Sequence, residues 1–276
     1  MKPSVTTAIK PQEKFLKLDL KEIWQYRELL VIFAWRDIKV RYKQTILGVL
    51  WAIIQPLTST FVFTIFFGKM AKIPSGELPY SLFVLIGVVF WNLFSNSLSA
   101  ASNSLVSSEH IIKKVYFPRA ILPLSSLVTS LIDFLINFLI LIIAGLYFGY
   151  LPGVDKIPLI ILVTFLTSLT AGGLGLFFSA LNVKYRDVRY VLPFAFQTLM
   201  FITPVIYPLN IISRRNSLLA SINPMTLIIE VVRGSFSGNL QIDPILICIS
   251  SVSIIICIIF GIWYFQRTQH EFADIA

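Results

Sequence analysis

The stretch at residues 182–190, NVKYRDVRY, crowds Lys184, Arg186, Asp187 and Arg189 together with Tyr185 and Tyr190 into a break between two long apolar runs. Outward from it the same pattern repeats. Apolar segments at about 46–67, 80–101, 121–149, 157–181, 191–208 and 244–265 alternate with short polar connections. Crossing a hydrocarbon layer about 30 Å thick takes roughly 20 helical residues. Each segment is therefore read as a transmembrane helix, giving an all-α polytopic membrane protein with six crossings.

Composition excludes the soluble alternative. Apolar residues make up 56% of the chain, charged residues only 13%, and there are 23 Phe; the mean hydropathy is +0.80. A soluble fold with so little polar surface would expose aggregation-prone patches, whereas lipid tails accept them. The formal charge of +9 points to a membrane surface rather than nucleic acid, because the cations lie between apolar runs and in the first 43 positions. The Lys-rich start meets no apolar run before about residue 46, so no cleavable signal peptide is expected.

The cations also orient the chain. Residues 1–45, 102–120, 182–190 and the tail hold 17 of the 23 Lys and Arg, against six on the other side. By the positive-inside rule both termini and the NVKYRDVRY turn are cytoplasmic. Topology alone accounts for Lys184, Arg186 and Arg189, but not for Asp187 or the tyrosines.

Three regions follow: a cytoplasmic tail at 1–19, a membrane domain at 20–265 and a second cytoplasmic tail at 266–276. Within the membrane domain, 20–44 places Ile23, Trp24, Leu30, Val31, Ala34, Trp35 and Ile38 at helical spacing. This reads as one amphipathic helix lying on the cytoplasmic leaflet. At 209–239, apolar runs too short to span are interrupted by Asn223-Pro224 and Gly234. They predict short re-entrant helices on the outer side, where Glu230 and Arg233, three apart, can pair as an outer gate or as a solvated surface pair.

Catalytic chemistry is hard to assemble. The chain has no G-x-x-x-x-G-K-[ST] and no H-E-x-x-H. His110 and His270 lack ligand-spaced neighbours, and Cys248 and Cys257 are nine residues apart in one apolar run, so no metal, cofactor or disulfide is expected. Asp133, with Asn137 one turn on, is the main ionisable candidate within a span. It reads as paired or capped by a neighbour rather than as a proton relay. Charge and aromatic residues gather instead at cytoplasmic turns: at 182–190, and at 107–123, where His110, Lys113 and Lys114 precede Pro118. Such turns are handles for a cytoplasmic partner.

Five stretches carry a resemblance: WRDIKVRYKQTILGVLWAIIQP (35–56), IIKKVYFPRAILPL (111–124), ALNVKYRDVRYVLPFAFQ (180–197), TPVIYP (203–208) and NPMTLIIEVVRG (223–234). In this order they resemble the permease subunit of bacterial ABC exporters for polysaccharides and polyol phosphates, the O-antigen, capsule and wall teichoic acid type. The resemblance implies a homodimer with two cytoplasmic ATPase subunits that bind ATP and Mg. It also implies a polymer on a polyprenyl diphosphate lipid, threaded between the two permeases. Lys184, Tyr185, Arg186, Asp187, Arg189, His110, Lys113 and Lys114 become coupling contacts to the ATPase.

Arg36, Arg41 and Lys43 are candidates to receive the lipid diphosphate, a role they share with general attraction to anionic lipid. Phe61, Phe90, Trp91, Phe94, Phe196 and Phe201 are candidates to line the path, by stacking on sugar rings; packing is the alternative role for each. Three further readings stay open: an exporter of a small amphiphile, a carrier or lipid flippase that needs no ATPase, and a membrane enzyme acting on polyprenyl-linked sugars.

Overall fold

The computed structural model describes residues 20–43, 48–185 and 187–269, and every regular element among them is helical. The expected tail at 1–19, residues 270–276 of the other tail, and Arg186 lie outside the described residues. In chain order the helices are α1 (Leu20–Gln25), α2 (Arg27–Lys43), α3 (Val49–Phe63), α4 (Tyr80–Ser107), α5 (Glu109–Ile112), α6 (Ile121–Phe148), α7 (Ile157–Lys184), α8 (Val188–Ile202), α9 (Arg214–Ala220), α10 (Pro224–Ser237) and α11 (Pro244–Thr268). A π-helical stretch, Thr64–Met70, prolongs α3.

Five helical segments are long and apolar enough to cross a membrane: Val49–Met70, Tyr80–Ser107, Ile121–Phe148, Val154–Lys184 and Pro244–Thr268. The expected crossing at 191–208 differs. Its helix, α8, has 15 residues, a rise of about 22 Å, short of the hydrocarbon thickness. The cause is local: Thr203 precedes Pro204, which drives it out of the helical region to φ −74, ψ 141. The chain then runs irregularly through Thr203–Pro208, where all but Tyr207 are buried.

Buried irregular backbone must find partners for its carbonyls. Here Arg233 of α10 serves two of them and reaches a third carbonyl on α4. Its Nη1 donates to the Pro204 carbonyl at 2.7 Å, its Nη2 to that of Val205 at 2.6 Å, and its Nε to that of Phe83 on α4 at 3.4 Å. The Tyr80 hydroxyl donates to the Ile206 carbonyl at 2.8 Å. The guanidinium also lies 3.4 Å from the centroid of the Phe83 ring. The expected pair forms, with Glu230 Oε1 3.1 Å from Nη1. Burial pushes the Arg233 guanidinium down to about 10, Glu230 opposes the shift, and the group stays charged at neutral pH. The approach needs Gly87, where a Cβ would sit 2.8 Å from the Val205 carbonyl oxygen and 3.1 Å from Nη2.

The core runs along α4, which packs against α6 and α7. Phe90, Trp91 and Phe94 of α4 and Phe196 of α8 are buried in it, and Phe90 meets Phe134 edge-on at 5.2 Å. These four are therefore packing residues within one protomer, a correction to their expected place along a path between protomers. A central helix is apolar all round, so composition does not separate its faces. Phe61 and Phe201 point outward. Helices α7 and α11 touch through Gly173 and Gly261: a Cβ on Gly261 would lie 1.9 Å from the Gly173 carbonyl oxygen, the close approach small residues allow.

One further expectation is revised. Residues 20–43 form two helices, and α2 lacks a single amphipathic stripe. Phe33 and Ala34 are buried, Phe33 in a cluster with Leu105, Phe117 and Ile121, while Trp24, Val31, Ile32, Trp35 and Val40 face outward. The helix thus has an apolar face toward protein and another away from it. At the far end, α10 packs deeply against α4, α7 and α11, with Met225, Ile228, Ile229 and Val232 in the core. It begins where Asn223 Oδ1 accepts from the Met225 amide at 3.0 Å and Pro224 opens the first turn.

Arg233→Ala leaves the Pro204 and Val205 carbonyls buried without their donor and the half-buried Glu230 without its partner, an arrangement that costs about 3–5 kcal/mol. The detergent-solubilised variant is expected to unfold well below the wild type in a thermal melt followed by size-exclusion fluorescence. Arg233→Lys, whose single ammonium cannot fan across three carbonyls, falls in between. An unchanged melt for Arg233→Ala contradicts this account.

Candidate functional site

One end of the bundle gathers the C-terminal ends of α2, α4 and α7, the start of α6, and the cationic turns between them. Asn182, buried near the end of α7, ties the two turns together. Its Nδ2 donates to the Ser102 carbonyl and to Asn103 Oδ1 on α4, both at 3.1 Å. The segments 107–118 and 182–190 therefore leave from one rigid platform.

Along the second turn, Lys184, Tyr185, Asp187, Arg189 and Tyr190 are all exposed. Lys184 Nζ lies 6.0 Å from the Tyr185 ring, and the Arg189 guanidinium 5.0 Å from the Tyr190 ring. Asp187 occupies the N-cap of α8, yet its side chain makes no capping bond. Its carboxylate is thus presented outward.

The first turn is shorter in helix than its sequence suggested. Residues 109–112 form the single turn α5, and His110, Lys113 and Lys114 are exposed, with Lys113 Nζ 2.7 Å from Glu109 Oε1. Phe117 plugs into the cluster beneath α2, 5.6 Å from Phe33 between ring centroids, and Arg119 donates to the Gln269 carbonyl. These anchors leave Val115 and Tyr116 projecting, Tyr116 at 82% exposure. The expectations for this turn rested on charge and missed Tyr116. The available signal was an aromatic one residue before a buried Phe and two before a proline.

Beside these turns, Arg36 forks onto Asp37 Oδ1 at 2.8–2.9 Å. Arg41 and Tyr42, in the last turn of α2, both donate to the buried carboxylate of Asp133 on α6. Burial first, then this hydrogen bond, holds the Tyr42 phenol well above its ordinary range. Asp133 is thus paired, as its sequence context suggested, and it pins the end of α2 to α6. Lys43 is exposed. A cavity of about 500 Å³ opens here, lined by Arg36, Asp37 and Arg41 on one side and by Ser104, Ser107, Ser125 and Thr129 on the other. Arg36 and Arg41 therefore come together at one opening, each already facing a carboxylate.

Comparison with known proteins bears on what this end does. A family model described as ABC-2 type transporter matches residues 28–237. An O-antigen export system permease protein, RfbA, of Myxococcus xanthus is 28% identical over 266 residues, covering 92% of this chain and 98% of its own length. A protein of the same name from Klebsiella pneumoniae is 27% identical, covering 90% and 95%. The polysialic acid transport protein KpsM of Escherichia coli is 23% identical, covering 72% and 77%.

Asp133→Ala removes the shared acceptor of Arg41 and Tyr42. Because Arg41 is partly exposed, the expected loss of stability is modest, about 1–3 kcal/mol. The detergent-solubilised variant should melt below the wild type, and an equal melt counts against the pinning role.

Proposed function

Because the chain belongs to the ABC-2 type transporter family, we propose that it is the membrane subunit of an exporter that moves a polysaccharide out across the plasma membrane, energised by a separate ATPase. The observation that carries this is the end-to-end likeness to O-antigen export permeases. The cationic end faces the cytoplasm, and α8 together with the buried Thr203–Pro208 segment makes a sixth crossing, which leaves both termini cytoplasmic.

Two copies of the chain pair with two ATPase subunits, which bind ATP and Mg. The path lies between the copies. Supporting it, Gln55 and Thr58 on α3 and Gln197 and Thr198 on α8 are exposed on apolar helices. Polar groups are costly against lipid and suit a wet surface. Phe61 and Phe201 share those outward faces and are the retained candidates for stacking on sugar. Substrate arrives on a polyprenyl diphosphate lipid. Lys43 makes first contact with the phosphates, and Arg36 and Arg41 receive them at the serine-lined cavity by charge-assisted hydrogen bonds.

Coupling falls to the exposed platform. Asp187, Arg186, Arg189 and Tyr185 meet the ATPase from one turn, and His110, Lys113, Lys114 and Tyr116 from the other. The Asn182 clamp makes both move as one when the ATPase closes. A carrier independent of ATP would need a free intramembrane acid, and Asp133 is committed to Arg41 and Tyr42.

The test is ATP-driven glycan uptake into inverted vesicles that hold the chain and its ATPase. Wild type should transport only with ATP, and Asp187→Ala should lose most transport while still inserting and assembling. Tyr116→Ala should weaken ATPase association by about 30-fold, the effect of truncating an aromatic anchor worth about 2 kcal/mol. Transport without the ATPase, or at full rate in Asp187→Ala, overturns the assignment.

A further inference from the structure

At the end of the bundle opposite the cationic turns, α9, α10, the 75–78 turn and the start of α11 enclose an open cavity of about 650 Å³. That lies within the usual range for small-molecule sites, about 300–1,000 Å³. Its wall is polar in one particular sense. The hydroxyls of Ser75, Ser217, Ser221, Thr226 and Ser237 each donate to a backbone carbonyl of this chain. Their hydrogens are spent; Ser221 and Thr226 are fully buried, while the half-buried oxygens of Ser75, Ser217 and Ser237 keep at least one lone pair with which to accept.

Three carboxylates, Glu77, Glu230 and Asp243, also line the cavity and only accept. The two lining cations offset two of these carboxylates, Arg233 pairing with Glu230 and Arg214 with Asp243, which leaves Glu77 as the net negative charge of the lining. Arg233 is committed to backbone carbonyls and Glu230, and Arg214 lies 3.3 Å from Asp243. Formally the lining carries three negative and two positive side chains. Its other side-chain donors are the amides of Asn210, Asn239 and Gln241, of which Asn239 donates to Glu77 Oε1 at 3.4 Å. A metal ion does not fit: among the described residues no acidic side chains converge to hold one.

A ligand matched to this wall carries many hydroxyl donors, tolerates a few amide donors and bears no negative charge. We propose that the cavity is a saccharide site that takes uncharged sugar units of the emerging glycan, so that the exported polymer is a neutral one rather than a polycarboxylate or a polyol phosphate. Sugar hydroxyls donate to the oxygens of Ser75, Ser217 and Ser237 and to the carboxylates, and the amides return hydrogen bonds to ring and hydroxyl oxygens. An acidic unit would instead lose its hydration while facing like charge and lone pairs. The inference rests on the export reading and adds the substrate class to it.

The test uses the full complex of the chain with its ATPase in lipid nanodiscs, and two fluorescent probes. One is a tetrasaccharide-sized fragment of the cell's own surface glycan, and the other is oligosialic acid of equal length. Composition analysis of the glycan should show a neutral repeat. The fragment should bind saturably, and the double variant Asn210→Ala/Gln241→Ala, both exposed positions, should weaken it at least about tenfold while eluting and holding the ATPase normally. Oligosialic acid should show no saturable binding. A repeat bearing acid or phosphate, tighter binding of oligosialic acid, or a double variant that binds like wild type overturns the proposal. If the fragment fails to bind a complex that still exports glycan with ATP, this inference falls and the export reading stands. Absence of ATP-driven export removes both.

Discussion

A membrane-embedded chain can leave its helical state only where something else satisfies its backbone, and here that is the guanidinium of Arg233. Helix α8 stops at Thr203 because Pro204 follows, and the exposed carbonyls beyond it would be ruinous in lipid. Arg233 reaches Pro204 and Val205 in the break and Phe83 on the central helix at once. Much else at that end follows from this one placement. Gly87 is small so that the break can approach α4, Glu230 compensates the buried charge, and α10 is held deep between α4, α7 and α11. The pinned guanidinium also leaves the adjoining cavity rich in acceptors rather than donors.

The other end works by exposure rather than burial. Two turns stand out from a platform made rigid by Asn182 across α4 and α7, the most extensively packed pair of helices. These two helices run the length of the bundle. They thus connect the turns to the buried break around Arg233. The structure in this sense joins a surface suited to a partner to a segment whose backbone is already irregular.

Much of the fold was legible in the sequence. The segments expected at 80–101, 121–149, 157–181 and 244–265 start within a residue or two of α4, α6, α7 and α11, because long apolar runs and flanking prolines or charges mark them. The shortness of α8 was written in Thr203-Pro204 but was outweighed by the apolar letters after it. The Glu230–Arg233 pair was legible from its spacing, whereas its carbonyl partners lie in segments 28 to 150 residues away. The same distance in sequence hid the Arg41 and Tyr42 contacts with Asp133. Phe90, Trp91 and Phe94 were misplaced for another reason: in a membrane chain both lipid-facing and core-facing sides are apolar, so hydropathy cannot tell packing from lining.

The central claim is that this chain works as one half of a machine whose energy is supplied by another subunit. The most direct measurement is to purify the tagged chain gently from its native membrane and identify every protein that comes with it in near-equal amount. The account predicts a stoichiometric nucleotide-binding ATPase, released when residues 182–190 are altered. A chain that elutes alone and still moves glycan in vesicles without ATP would contradict it.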